Sequence, residues 1–160
     1  MNTECMNKTT TLSEDLEGLK EVRVVWDVTI GDARMFADRI NLIRQTAESF
    51  RKRGITPCFV VAIHGPATKF ATQSLAGTVF EKETAENMPD IRKILEELTQ
   101  SGARIQQCEI TLLRGNIPND CILPFISTEE NVLVNIAALQ NKGYAYMPFH
   151  IAEPLIKPGG

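Results

Sequence analysis

Residues 22–32, VRVVWDVTIGD, decide the fold class of this sequence. Val22–Val28 is a nearly continuous run of apolar and β-branched residues, which predicts a strand buried on both faces, as in a parallel sheet. Asp32 can cap a helix directly after the strand, and Gly54 can end that helix in a left-handed conformation. The apolar positions between them recur at spacings of four and three, as one helical face requires: Phe36, Ile40, Ile43, Ala47 and Phe50. The stretch therefore predicts a strand followed by a helix.

The same alternation continues to residue 149. Further strands are predicted at residues 56–64, 103–108, 121–126 and 144–149. Helices are predicted from Pro66 through Leu75, from Pro89 to a stop at Gly102, as a turn or two over 109–114, and after a capping box formed by Ser127 and Glu130. Strands that alternate with helices on short connections predict right-handed crossovers and a mostly parallel sheet sandwiched by helices.

Length and composition bound the architecture. A chain of 160 residues with 43% hydrophobic residues fits one domain with its own core. We expect a flexible leader over residues 1–20 with a short helix near 12–19, a single α/β domain over 21–150, and a tail over 151–160. The apolar runs are too short to span a bilayer and the first 20 residues lack the apolar stretch of a signal peptide, so we expect a cytoplasmic protein without membrane contact.

Charge and cysteine spacing exclude several classes of site. The net charge of −3 leaves no large basic face for a phosphate backbone, which argues against nucleic acid as the main partner. Cysteines stand at positions 5, 58, 108 and 121, without a CxxC pair and without metal-ligand spacing to the two histidines. We expect free thiols and no metal site in a reducing compartment.

Reactive groups are expected where the parallel strands end, because ligands of such folds bind at the carboxyl edge of the sheet. His64 ends the second predicted strand and Cys108 ends the third. Their separation would be about 5 Å if these strands are neighbours and about 10 Å if one strand intervenes, and the sequence leaves both open. A short helix starting after Cys108 would stabilise a thiolate there, although a small buried hydrophobe is the competing interpretation. Arg114 could help only if the turn unwinds, since six helical positions rotate it about 240° away.

Two loops at the same edge could bind an anion. Gly65 and Pro66 follow His64, and they would allow close backbone approach and leave helix N–H groups pointing at a ligand. Gly31 and Asp32 follow the first strand, but the single glycine fails both the dinucleotide-binding fingerprint and the P-loop. No G-x-S-x-G elbow or paired-carboxylate pattern supports a hydrolase, and we expect no cofactor.

Three motifs together resemble DsrE-like proteins of the sulfur-relay group: the apolar strand into His64-Gly65-Pro66, the strand ending at Cys108 with Arg114-Gly115 downstream, and LQNKGYAY at 139–146. The resemblance covers residues 22–148. It implies a three-layer flavodoxin-like fold, homo-oligomers or related hetero-oligomers, and a persulfide-carrying cysteine that matches Cys108. The bulky Glu109-Ile110 after the cysteine is more similar to the uncharacterised DsrE-like branch.

Three functions follow as hypotheses. In the first, Cys108 accepts sulfur from a donor protein, either His64 or the N-terminus of the short helix after Cys108 stabilises it, and an acceptor protein receives it. In the second, the loops at Gly31-Asp32 and His64-Gly65-Pro66 hold a small anionic ligand between subunits, without covalent chemistry. In the third, the protein is a structural or regulatory oligomer subunit that uses a sheet edge to meet its partner.

Overall fold

One parallel sheet organises the part of the chain that the structure describes. The computed structural model describes residues 14–83 and 87–149. In these residues five strands pair in the order β4-β3-β2-β1-β5, and each neighbouring pair is parallel. The strands are β1 (Glu21–Val28), β2 (Thr56–Ile63), β3 (Arg104–Cys108), β4 (Ser127–Glu129) and β5 (Ala145–Phe149). The predicted α/β fold with a flavodoxin-like, mostly parallel sheet of about five strands is confirmed.

Helices cover both faces of this sheet and give three layers. They are α1 (Ala33–Arg51), α2 (Thr68–Ala71), α3 (Met88–Gln100), α4 (Glu109–Arg114) and α5 (Val132–Asn141). The chain moves from β1 through β2 and β3 to β4, and then α5 returns it to the opposite edge of the sheet, beside β1. Because crossovers are right-handed, this reversal of direction places α5 on the face opposite α1 and α3.

The core accordingly lies in two clusters. The larger one joins alternate residues of β1 and β2, such as Trp26 and Phe59, to the apolar faces of α1 and α3. The smaller one joins Val25, Val60, Ala62 and Cys108 to three buried side chains of α5: Val132, Ile136 and Leu139. We call the sheet surface that carries this second cluster the α5 face.

Asp32 caps α1 as the sequence predicts. Its side chain accepts a hydrogen bond from Met35 N at 2.9 Å, and Gly54 adopts a left-handed φ of +72° three residues after the helix ends. The third predicted helix also forms, with a proline in its first turn. These elements follow from local capping chemistry, which the sequence displays directly.

The predicted helix from Pro66 through Leu75 is wrong in its second half. A 3₁₀ turn at Gly65–Ala67 leads into α2, which ends at Ala71. Thr72 is extended, with φ of −100° and ψ of 135°, and forms an antiparallel bridge with Ile122. Tertiary pairing with the segment before β4 therefore ends the helix early.

The predicted strand at residues 121–126 is also wrong. Asn119–Cys121 forms a 3₁₀ turn, and β4 begins only at Ser127. Ile122, Leu123 and Ile126 are buried, so their apolar pattern reflects core packing of an irregular segment rather than a strand. Pro124 has no N–H to donate to a ladder, which disfavours strand pairing there.

The predicted capping box before α5 is also wrong, because Ser127 belongs to β4. The cap is Asn131, whose side chain accepts from Leu133 N at 3.0 Å. The short helix predicted near residues 12–19 is a single 3₁₀ turn at Glu14–Leu16. The rest of the expected leader, up to residue 13, and the expected tail at 151–160 lie outside the described residues, so the domain limits stay predictions. Within residues 14–83 and 87–149, no helix is long and apolar enough to cross a membrane.

Candidate functional site

The ends of β2 and β3 bring the two predicted reactive residues to neighbouring positions. Cys108 is the last residue of β3, and His64 follows β2 directly. The two strands are neighbours and pair Ile63 with Gln107, so His64 and Cys108 occupy the next position of the same register. Their Cα atoms are thus about 5 Å apart, the ordinary spacing of paired strands. The structure resolves the choice between adjacent and separated strands in favour of adjacent ones.

Cys108 is buried on the α5 face. Its residue exposure is 4%, and it packs in the cluster that α5 covers. It also occupies the N-cap position of α4, where its side chain makes no capping hydrogen bond with the described residues. The thiol in this position is shielded from water because it packs in the cluster that α5 covers.

Asp27 connects His64 to a tyrosine of the edge strand. Asp27 Oδ1 lies 2.6 Å from His64 Nε2, and Asp27 Oδ2 accepts a hydrogen bond from Tyr146 Oη at 2.5 Å. The side chains of His64 and Asp27 are 22% and 16% exposed. The carboxylate of Asp27, on β1, therefore joins the side chain of Tyr146, on β5, to that of His64, at the end of β2. We call Asp27, His64 and Tyr146 the polar triad.

The charge of Asp27 changes the acidity of the tyrosine. The hydrogen bond to Asp27, together with partial desolvation and the repulsion between two negative charges, raises the pKa of Tyr146 to about 12. Tyr146 thus keeps its proton through the physiological range and remains a donor to Asp27. The triad is a fixed hydrogen-bonded unit beside the buried thiol.

The two loops predicted to bind an anion pack against each other. A Cβ added to Gly31 would lie 2.6 Å from the Cβ of Pro66, so the loops after β1 and β2 approach as closely as a glycine permits. Gly65 has a left-handed φ of +57°, and its N–H donates to Thr111 Oγ1 at 3.2 Å. That hydrogen bond ties the loop after β2 to α4, and it occupies the Gly65 N–H that the anion hypothesis would use.

The remaining predicted residues lie farther from the thiol. Asp32 is exposed and its carboxylate caps α1. Arg114 is exposed at the end of α4, six residues after Cys108, and that helix remains wound up to it. The structure therefore brings His64 and Cys108 together, with Gly65 next to His64, and leaves Asp32 and Arg114 at the periphery.

Sequence reasoning missed Asp27, Tyr146 and Gln106. Asp27 lies inside the apolar run that predicts β1. A carboxylate in such a run indicates a polar partner, and this signal could have identified Asp27 as a candidate. Gln106 is 4% exposed and lies two residues before Cys108 on the same face of β3. Its side-chain oxygen, Oε1, has no hydrogen-bond partner among the described residues.

The other cysteines show no sign of a shared site. Cys58 and Cys121 are partly buried, and together with Cys108 they are free thiols among the residues described. Cys5 lies outside that part of the chain. In the same two ranges, 14–83 and 87–149, no group of three or more His, Cys, Asp or Glu side chains is arranged to hold a metal ion.

Comparisons with known proteins identify relatives of this fold. No family model matches the chain. An uncharacterized protein of Aquifex aeolicus is 30% identical over 129 residues, which cover 80% of this chain and 56% of that protein. The chain thus spans about half the length of the curated relative it matches.

Two solved structures share the architecture at low sequence identity. The protein of unknown function MTH1491 from Methanobacterium thermoautotrophicum matches with a TM-score of 0.62 and 17% identity, over 79% of this chain and 98% of that one. The ychN protein of E. coli matches with a TM-score of 0.53 and 17% identity, over 82% of this chain and 99% of that one. The chain has the α/β fold of these two proteins.

Proposed function

We propose that the protein is a sulfur carrier in which Cys108 holds a persulfide. The observation that supports this proposal best is the placement of a buried thiol at the end of β3, next to His64 at the end of β2. The resemblance of the three sequence motifs to DsrE-like proteins supports the same residue. The reaction partners are a sulfur donor protein and an acceptor protein in the cytoplasm, where thiols stay reduced.

The proposed chemistry is thiol–persulfide exchange. The Cys108 thiolate attacks the outer sulfur of a donor persulfide, R–S–SH, the S–S bond of the donor breaks, and R–S⁻ leaves with the bonding electron pair. The product is Cys108–S–SH. An acceptor thiolate then repeats the attack on the outer sulfur and releases the Cys108 thiolate, so no external oxidant or reductant is consumed.

The surroundings of Cys108 suit a sulfur that must be held rather than released to water. α5 packs over the thiol, and the α5 face excludes solvent from it. His64 is the stabilising neighbour in this proposal, and Asp27 fixes the orientation of its ring through Nε2. Exchange with a partner then requires a local movement that exposes Cys108, because the thiol is buried.

Intact mass after incubation with a small persulfide donor tests the proposal. We expect the wild-type chain to gain one sulfur atom and Cys108→Ser to gain none. Cys58→Ser and Cys121→Ser are matched controls, since both thiols are partly buried and neither lies beside His64 in the strand register. A gain that survives Cys108→Ser, or no gain in the wild type, would refute sulfur carriage by this residue.

A second candidate, a regulatory homo-oligomer subunit, is favoured by the composition of α5. The helix VLVNIAALQN buries Val132, Ile136 and Leu139, yet it exposes Leu133 and Val134 at 56% and 63%. A helix that is apolar all round is usually covered on both sides. We propose that a second copy of this chain covers it.

Light scattering during size exclusion tests this oligomer. Leu133→Glu should shift the wild-type assembly toward monomer, because a carboxylate would be buried in the interface. Val79→Glu is the control, since Val79 is 62% exposed on a different surface, the loop after α2. A wild-type chain that is monomeric at every concentration would rule the oligomer out.

A further inference from the structure

The buried amide of Gln106 lies next to the proposed sulfur position. Gln106 and Cys108 are two residues apart on β3, so both side chains project from the α5 face with Cα atoms about 6.6 Å apart. The paired residues on the neighbouring strands are Ala62 of β2 and Ser127 of β4. Ala62 has no polar side-chain atom, and Ser127 Oγ lies 3.3 Å from both Ile105 O and Glu129 Oε1. Neither neighbour supplies a donor to Gln106.

An unpaired oxygen in this position is unfavourable. Gln106 is 4% exposed, and its Oε1 has no hydrogen-bond partner in residues 14–83 and 87–149. Buried polar groups are nearly always paired in native proteins, so each exception calls for an explanation. A carbonyl oxygen can only accept, and the group that satisfies it must therefore bring a hydrogen.

We propose that Gln106 accepts a hydrogen bond from the terminal S–H of a persulfide on Cys108. The inference rests on the proposed function, and it names the group that recognises the transferred sulfur. Adding one sulfur extends the Cys108 side chain by an S–S bond of about 2 Å on the face where the amide lies. The unmodified thiol ends at Sγ, so the loaded state satisfies an oxygen that the unloaded state leaves unpaired.

The expected effect is modest, because S–H is a weak donor. A net hydrogen bond of about 0.5–1.5 kcal/mol corresponds to roughly a twofold to tenfold change in an equilibrium constant. The constant concerned is that of the balanced exchange Cys108–SH + R–S–SH ⇌ Cys108–S–SH + R–SH. Gln106 should shift it toward the loaded protein.

The test measures this constant for the wild type and two variants. Each protein is equilibrated with cysteine persulfide and cysteine at fixed ratios, and the loaded fraction is read by intact mass. Gln106→Met removes the amide at similar volume. Gln107→Met is the matched control: among the described residues Gln107 Oε1 also has no hydrogen-bond partner, but its side chain is buried on the opposite face, where its Nε2 donates to Thr68 Oγ1 and to the backbone oxygen of Cys108. Gln106→Leu repeats the measurement if the methionine variant does not fold.

The outcomes separate the two levels of the proposal. We expect Gln106→Met to lower the constant about twofold to tenfold and Gln107→Met to leave it unchanged. Equal constants for wild type and Gln106→Met would overturn the role of Gln106 and leave sulfur carriage intact. If the wild-type Cys108 accepts no sulfur at all, the proposed function fails and this inference fails with it.

Discussion

Replacing Asp27 by asparagine should lower the pKa of Tyr146. In the wild type, the hydrogen bond to Asp27 leads the causes that raise this pKa from 10.0 to about 12. Asp27→Asn keeps the size of the side chain but removes its negative charge, so the phenol pKa should fall back toward 10.0. Ultraviolet absorbance of tyrosinate measures this directly, because the sequence holds just two tyrosines and Tyr146→Phe isolates the contribution of Tyr146.

The same substitution should reduce stability. Hydrogen bonds to a charged group contribute about 1.5–3 kcal/mol when buried, and exposed pairs contribute about 0–1 kcal/mol. Asp27 and His64 are 16% and 22% exposed, which is between these cases, and Tyr146 is 41% exposed. We therefore expect a loss of roughly 0.5–2 kcal/mol, or about 1–8 °C in Tm for a chain of this size. Fluorescence of the single tryptophan, Trp26, which is buried, reports the unfolding.

The direction of the pH dependence follows from the raised pKa. Between pH 10.0 and about 12 the unfolded tyrosine has lost its proton while the folded one retains it. The unfolded state binds fewer protons in this window, so the free energy of unfolding of the wild type should fall as the pH rises through it. Asp27→Asn and Tyr146→Phe should both flatten this dependence. Identical tyrosine titrations in the wild type and Asp27→Asn would refute the triad.

Two further substitutions test the loops and the cap of α5. Gly31→Ala places a Cβ 2.6 Å from the Cβ of Pro66, about 1 Å closer than an ordinary contact, and should cost about 1–3 kcal/mol in urea unfolding. An unchanged midpoint would mean that the loops do not touch. Asn131→Ala removes the acceptor for Leu133 N and should cost about 0.5–2 kcal/mol, whereas Glu130→Ala should cost little. Equal losses of stability in Asn131→Ala and Glu130→Ala would contradict the Asn131 cap and favour the capping box that the sequence predicts.

Local chemistry made most of the fold predictable. β1, α1, β2 and β3 have boundaries within a residue or two of their predicted ranges, because apolar runs, an Asp cap and glycine stops act over a few residues. The segment before β4 was not predictable in this way. Its burial depends on the bridge between Thr72 and Ile122, which joins residues 50 positions apart.

The candidate site was predictable only in part for a related reason. His64 and Cys108 were identified because each ends a strand, but their adjacency depends on strand order, which the sequence left open. Asp27 and Tyr146 meet because β5 returns beside β1, so no local pattern joins them. Burial and an Oε1 without a partner are shared by Gln106 and Gln107 among the described residues, so Gln106 becomes notable only through its place beside Cys108 on the α5 face.

The most direct test of sulfur carriage by Cys108 is cyanolysis of the loaded protein. Cyanide attacks the outer sulfur of a persulfide, and the products are thiocyanate and the original thiolate, so thiocyanate counts transferable sulfur. After loading and removal of the donor, the wild type should release one thiocyanate per chain and recover its starting mass, while Cys108→Ser should release none. Release from Cys108→Ser equal to that of the wild type, or no release from either protein, would contradict the proposal.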